Sequence, residues 1–349
     1  MKRKIVKIIL AFLGILVLFF GGIIIFLSVT EYKPEKIEEL TKIEGSKSLK
    51  LEDSFSVMTF NIGYAGLGKD QDFFMDGGKM VRPEQKEDVE ENLKGIEQVL
   101  QRENPDFLLL QELDINSKRS YNINEKESVE AKLKKDGVFA PNFVCEYVPF
   151  PLPTIGKVES GVATFSQYSS EKAKRISLPV PFKWPVRMAN LKRCLLKTRF
   201  PIAGTDKELV IFNAHLEAYD DGEGKKEQTK IMLEVMEEEY EKGNYVIAGG
   251  DFNQSLAENL NKYPIKDEKN WIPGVLEPKD FGENFSMQMD HEVPTCRLND
   301  SLLHKNTQTY VVDGFLVSNN IIVEEVKTLD EGFVYSDHNP VRLKFSFKE

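Results

Sequence analysis

From Ile8 to Val29 the chain runs through 22 residues without a formal charge, rich in Ile, Leu and Phe. Coiled as a helix, this run is about 33 Å long, enough to cross the hydrocarbon core of a bilayer. Lys2, Arg3, Lys4 and Lys7 precede it, which predicts a cytoplasmic N-terminus with the remainder outside the cell. A cleaved secretory signal has a shorter apolar stretch and a small-x-small exit, a pattern that Leu27-Ser28-Val29 fits poorly. The expectation is therefore an uncleaved, single-pass anchor in the cell membrane, residues 1–29 with their basic cap. Residues 30–53 follow, rich in Lys and Glu, and read as a charged stalk with helical character around Pro34–Leu40.

Beyond residue 53 the apolar positions fall into short blocks. Phe55–Ile62, Phe107–Gln111, Phe143–Val148, Gly161–Phe165, Cys194–Phe200, Leu209–Asn213, Tyr245–Gly249, Tyr310–Val317, Ile321–Val326 and Val341–Phe347 are β-rich runs bounded by turn residues. Helical spacing appears in Glu84–Arg102, where Val89, Leu93, Ile96 and Leu100 recur on one face. Pro83 stands before its start and Pro105 after its end. Glu125–Lys135 is a weaker helix, and Lys225–Lys242 stops at Gly243. Residues 255–308 are Pro-, Asn- and Asp-rich with little periodicity and read as a long insertion. Strands outnumber helices, and some are adjacent while others are separated by helices. That predicts an α/β domain over residues 54–349, with mixed sheets covered by helices.

Composition narrows the partners. The chain has 349 residues and a net charge of −10, but the four cations of residues 1–29 stand without an anion. The rest carries 42 Lys and Arg against 56 Asp and Glu, a balance of −14. This argues against nucleic-acid binding through a broadly basic face. A cation in an acidic cleft can still admit an anionic substrate, since the ion dominates the local field. Cys145, Cys194 and Cys296 form no CxxC pair, so neither a structural zinc site nor a disulfide framework is expected.

Polar residues recur at the C-terminal ends of the apolar runs. Asn61 ends the first (TFNIGY), Glu112 the second (LLLQELD) and His215 another (FNAHLEA). Asp251 and Asn253 follow Val246–Ala248 (AGGDFNQ), Asp313 interrupts VVDGFLVS, and Asp337-His338 precedes the last strand (YSDHNPV). Singly, each is an ordinary turn or capping residue. Together they are more than solvation needs, and strand ends on one sheet edge are where α/β proteins bind ligands. There is no GxSxG elbow for a serine nucleophile, and the Gly-rich stretch Gly63–Gly78 lacks the Lys-Ser/Thr ending of a P-loop, so it reads as a mobile loop.

In this order the series strongly resembles the endonuclease/exonuclease/phosphatase superfamily, over about Phe55–Phe347. That superfamily includes DNase I-like nucleases, abasic-site endonucleases, inositol-polyphosphate 5-phosphatases and neutral sphingomyelinases. The resemblance implies a DNase I-like four-layer α/β sandwich with two mixed sheets, and a Mg²⁺-dependent (or Mn²⁺-dependent) phosphoesterase without a covalent intermediate. It implies Glu112 as principal metal ligand, with Asn61 and Asp337 near the same ion. Asp251 would orient or deprotonate the attacking water, and Asn253 would hold a non-bridging phosphate oxygen. Asp313 would pair with His338, whose imidazole contacts the phosphate, while His215 binds phosphate or acts as an acid. Arg119, Arg187 and Arg193 are candidate phosphate-binding cations. The substrate stays open between a lipid headgroup, favoured by the anchor and by apolar loops at Phe73–Met75, Phe150–Pro153 and Phe182–Pro185, and nucleic acid outside the cell. The catalytic domain is expected to be monomeric. The competing class is a surface interaction module that keeps the fold without turnover.

Overall fold

The structure, a computed structural model, describes residues 2–220, 222–298 and 307–348. Two sheets face each other. The larger has seven strands in the spatial order β1 (Ile37–Leu40), β6 (Lys172–Ser177), β7 (Cys194–Pro201), β8 (Glu208–His215), β9 (Tyr245–Asp251), β15 (Asp313–Ser318) and β12 (Phe285–Gln288). The smaller has six: β16 (Ile321–Thr328), β17 (Val341–Phe347), β2 (Ser54–Asn61), β3 (Phe107–Asp114), β5 (Gly156–Ser166) and β4 (Asp136–Val148). β2 runs parallel to β3 and β8 parallel to β9, while the other neighbours within these two sheets are antiparallel.

Strand periodicity builds the layers. In β2 and β3, Val57, Phe107 and Leu109 point between the sheets, while Met58, Phe60, Leu108 and Leu110 point outward under the helices. Helices α2 (Lys86–Glu103) and α3 (Glu125–Leu133) cover that outer face; α2 brings Val89, Leu93, Ile96 and Leu100 onto it. Burying each of these side chains is worth about 1.5–3 kcal/mol relative to exposure. α4 (Glu223–Tyr240) covers the other sheet with Met232 and Met236 against Val210, Phe212 and Val246. The result is the four-layer sandwich, helices outside and two mixed sheets within, that the family resemblance implies.

Several elements depart from the sequence pattern. The stretch around Pro34–Leu40 is not helical: β1 pairs antiparallel with β6. Further along, Ile43 and Leu49 are fully buried in the inter-sheet core. Residues 37–49, read as a stalk, are therefore laid along the domain, held by a few apolar residues too sparse among lysines and glutamates to show periodicity. β6 was hidden by its own polarity. Its Arg175 is fully buried, donating to the backbone carbonyls of Pro141 and Lys192 and to Ser177 Oγ. The insertion at 255–308 contains β10 (Gln254–Leu256) paired with β11 (Gly274–Leu276), the short α5 (Ala257–Lys262) and edge strand β12. It also contains β13 (Cys296–Arg297), which pairs with β14 (Thr309–Tyr310).

Helix α1 (Lys2–Thr30) is long and apolar enough to cross a membrane, by length and composition. Most of it is exposed, but Leu27 is buried and Ile23 partly so, against Phe143, Val148 and Met188. Glu31, just past its end, pairs with Arg187 at 3.2 Å and Lys192 at 3.5 Å.

Candidate active site

The register of the strands gathers the polar series. β2 and β3 run side by side in the same direction, with Asn61 opposite Gln111, so Asn61 and Glu112 emerge at one edge. In the facing sheet His215 lies opposite Asp251, and Asp313 opposite Asp251 from the other side. The Gly249-Gly250 pair before Asp251 is required by packing. A Cβ on Gly250 would lie 1.8 Å from the Ala214 carbonyl oxygen, and one on Gly249 would strike Phe315 and Leu109.

Asn61 joins the two halves. Its Nδ2 donates to Glu112 Oε1 at 3.1 Å and to Asp251 Oδ2 at 3.0 Å, while its oxygen accepts the Gly63 amide at 3.0 Å. His338 Nδ1 lies 2.8 Å from Asp313 Oδ2, and its Nε2 is 3.8 Å from Asp251 Oδ2. His215 Nε2 is 3.5 Å from Asp251 and 4.0 Å from Glu112. Asp337 reaches the same cavity, its Oδ1 within 3.3 Å of Ser336 Oγ. The Asn253 backbone amide donates to Asp251 Oδ1 at 2.9 Å, and its side chain spends one Nδ2 hydrogen on the Leu216 carbonyl. Glu112 and Asn253 both hold left-handed backbone, at φ 51° and 52°, a strained conformation that clusters at functional sites.

Electrostatics divides the groups. Burial drives the His215 imidazole well below its ordinary range, helped by Arg193 and His338, so it is neutral at pH 7. Burial alone would do the same to His338, but the Asp313 carboxylate reverses it and holds His338 well above its ordinary value, as imidazolium. Asp251 is pushed up to about 6 by burial and by Asp313. Asp337 is pushed up to about 6 by burial and, among the neighbouring charges, by Glu112. The two imidazoles thus differ in charge at neutral pH, and the ionised carboxylates crowd one edge.

All eight residues at strand ends are brought together, and six of them line one cavity of 370 Å³. The arginines divide. Arg119 lines the cavity but is forked onto Asp114 (3.0 and 2.9 Å) and lies over the Tyr64 ring. Arg193 lines it too, with Nη1 toward the His215 carbonyl and Nε 3.7 Å from Glu217. Arg187 instead pairs with Glu31 beside the end of α1. Five further groups around the site went unread in the sequence. Tyr219 Oη donates to Asp76 Oδ1 at 2.8 Å on the cavity wall, where burial pushes Asp76 up to about 7 against that bond. Beneath the site, Gln111 Nε2 donates to Asn213 Oδ1 at 2.8 Å and to Thr59 Oγ1 at 3.0 Å, a buried polar rung between the sheets. An amide in the middle of LLLQEL or IFNAH is the signal that would have found it.

Two ligand sets are available to a cation. Asp251, Asp313 and His338 offer ligand atoms within 4.8 Å of one another, but the Asp313–His338 hydrogen bond already occupies Nδ1. Glu112 and Asp337 present carboxylate oxygens to the cavity, and oxygen donors of this kind suit a hard divalent ion. Asn61 faces Glu112 and Asp251 with its amide nitrogen, and its oxygen accepts the Gly63 amide.

Comparisons agree with the architecture. The family model described as "Endonuclease/Exonuclease/phosphatase family" matches residues 58–338. An endonuclease/exonuclease/phosphatase from Beutenbergia cavernae is similar in structure with a TM-score of 0.57 at 17% identity, covering 84% of this chain and 72% of that one. A family protein from Leptotrichia buccalis gives 0.54 at 15% identity, covering 84% and 100%. The human Nocturnin catalytic domain with bound sulfate gives 0.51 at 16%, covering 86% and 96%. No curated protein matches the sequence significantly. The family model spans more than half of the chain and every residue of the polar series, so the protein belongs to the endonuclease/exonuclease/phosphatase family.

Proposed function

We propose that the chain is a Mg²⁺-dependent phosphodiesterase, anchored in the cell membrane by α1 with its catalytic domain outside. The observation that carries the activity is the meeting of Glu112, Asp251, His215, Asp337 and His338 in one cavity, with Asn61 bonded to carboxylates from both sheets. Glu112 and Asp337 would hold the ion, which when bound supplies charge for the phosphate oxygens.

The chain's own residues do the rest. Asp251, ionised above about pH 6, accepts the proton of the attacking water and holds it in line. His338, kept protonated by Asp313, donates to a non-bridging phosphate oxygen and neutralises charge as the pentacovalent state forms. His215 is neutral, so its Nε2 serves as a hydrogen-bonding partner to water or the leaving oxygen rather than as a fixed cation. Asn253, with one amide hydrogen on Leu216, turns the other toward the phosphate. Arg193 supplies further positive charge at the cavity wall.

The test is turnover of bis(p-nitrophenyl) phosphate by the full chain. EDTA abolishes it and Mg²⁺ or Mn²⁺ restores it. Glu112→Ala and Asp251→Ala each lower kcat by about 10²–10³-fold while circular dichroism stays unchanged. Undiminished turnover in chelator would refute the mechanism. A folded protein that shows neither turnover nor Mg²⁺-dependent ligand binding at the cleft in calorimetry would instead identify an interaction module.

A further inference from the structure

The cavity has two unlike ends. Its floor is the polar cluster of Glu112, Asp251 and His338; its wall includes Phe74, Phe143, Val148, Ile155, Ala189 and Leu191. Those same six side chains belong to the apolar cluster into which Ile23 and Leu27 of α1 pack. Helix α1 therefore packs against side chains that also line the cavity. Around the mouth, two loops present large apolar side chains to the outside: Phe150 (64% exposed) and Leu152 (77%), and Trp184 (56%) and Val186 (59%). The second loop leads into the short 3₁₀ turn Val186–Ala189, which touches α1. Glu31, Arg187 and Lys192 form a charged knot where the helix ends. An apolar rim with a tryptophan beside a helix terminus is the arrangement that settles at a bilayer interface. Contiguous exposed apolar surface otherwise costs solubility.

Resting on the phosphodiesterase reading, we propose that the substrate is a phospholipid taken laterally from the bilayer that α1 spans. Its phosphodiester sits over the Glu112–Asp251–His338 floor, and an acyl chain lies along the Phe74–Phe143–Val148–Leu191 wall. One water adds across a P–O bond, giving a phosphomonoester and an alcohol. Arg119 is held by Asp114, Arg193 lies beside Glu217 and Arg187 is paired with Glu31, so these cations do not form a backbone-tracking stripe.

The full chain, reconstituted with Mg²⁺ in vesicles containing phosphatidylcholine, phosphatidylglycerol and sphingomyelin, is compared on these lipids, bis(p-nitrophenyl) phosphate, glycerophosphocholine and single-stranded DNA. At least one lipid is cleaved about tenfold or more faster than glycerophosphocholine, because the acyl chain adds binding that the headgroup lacks. Leu152→Asp with Trp184→Asp, both exposed and outside the cavity lining, lowers lipid cleavage by about tenfold and leaves the soluble diester within about twofold. Cleavage of the soluble diester without any lipid, faster cleavage of DNA than of lipid, or a double variant that slows both substrates alike or neither would overturn the lipid assignment alone. No turnover of the soluble diester by the wild-type chain would remove the phosphodiesterase reading, and the lipid assignment with it.

Discussion

Burial on its own would strip the proton from His338, and the Asp313 carboxylate at 2.8 Å does most to reverse that, with Cys296 adding to it. Asp313→Asn therefore leaves the ring in place but lets burial prevail, so the imidazolium deprotonates at lower pH. The expected outcome is an alkaline limb of the kcat/KM profile displaced downward, with kcat at pH 8 reduced by about 10²-fold. The acid limb behaves separately. Asp251 is raised to about 6, so its active, ionised form is complete above that value and is lost as pH falls through it. That limb stays in place in the Asp313→Asn enzyme only if removing the second carboxylate charge shifts it little; a modest downward move follows from the sign, because Asp313 is one of the groups raising Asp251. A profile unchanged on both sides would show that His338 does not act as a cation.

Among the elements, the β8–β9 ladder carries the tightest constraint. Ala214 stands opposite Gly250 one residue before His215 meets Asp251, and a Cβ at Gly250 would enter the Ala214 carbonyl at 1.8 Å. Gly250→Ala is expected to destabilise the fold by roughly 3 kcal/mol through forced backbone movement and to lower activity beyond what the lost folded fraction explains; urea unfolding beside kcat measures both. The elements show how far the sequence could be read. Strands whose apolar residues alternate or run together, such as Phe107–Gln111 and Tyr245–Gly249, stand at their expected places, and so do the polar residues at their ends. β1 and β6 escaped because both are short and polar: β1 buries no side chain fully, and Arg175 in β6 is satisfied by the carbonyls of Pro141 and Lys192, 34 and 17 residues away, together with Ser177 of its own strand. The Gln111–Asn213 rung and the Asp76–Tyr219 bond escaped for a related reason, since their partners lie 102 and 143 residues apart. The engagement of Arg119 by Asp114 likewise depends on a turn that spacing alone does not specify.

At the scale of the molecule, the segment between α1 and the sandwich is structural. Ile43 and Leu49 fill the core between the sheets, and β1 closes an edge. A protein that begins at Lys50 loses both side chains and the strand, whereas one that begins at Glu31 keeps them. The shorter chain is expected to be less stable by several kcal/mol, about 2–5 for each deleted large apolar side chain, and thermal melting of the two compares them directly. Equal midpoints would mean that residues 31–49 rest on the domain without supporting it.

The bond from Asn61 to Asp251 has one further consequence. It ties the edge of one sheet to the edge of the other, so neither half of the sandwich contains a working centre by itself. On the proposed reading, turnover therefore depends on the docking of two sheets that are woven from alternating stretches of the chain, so that loosening their interface is expected to silence the site.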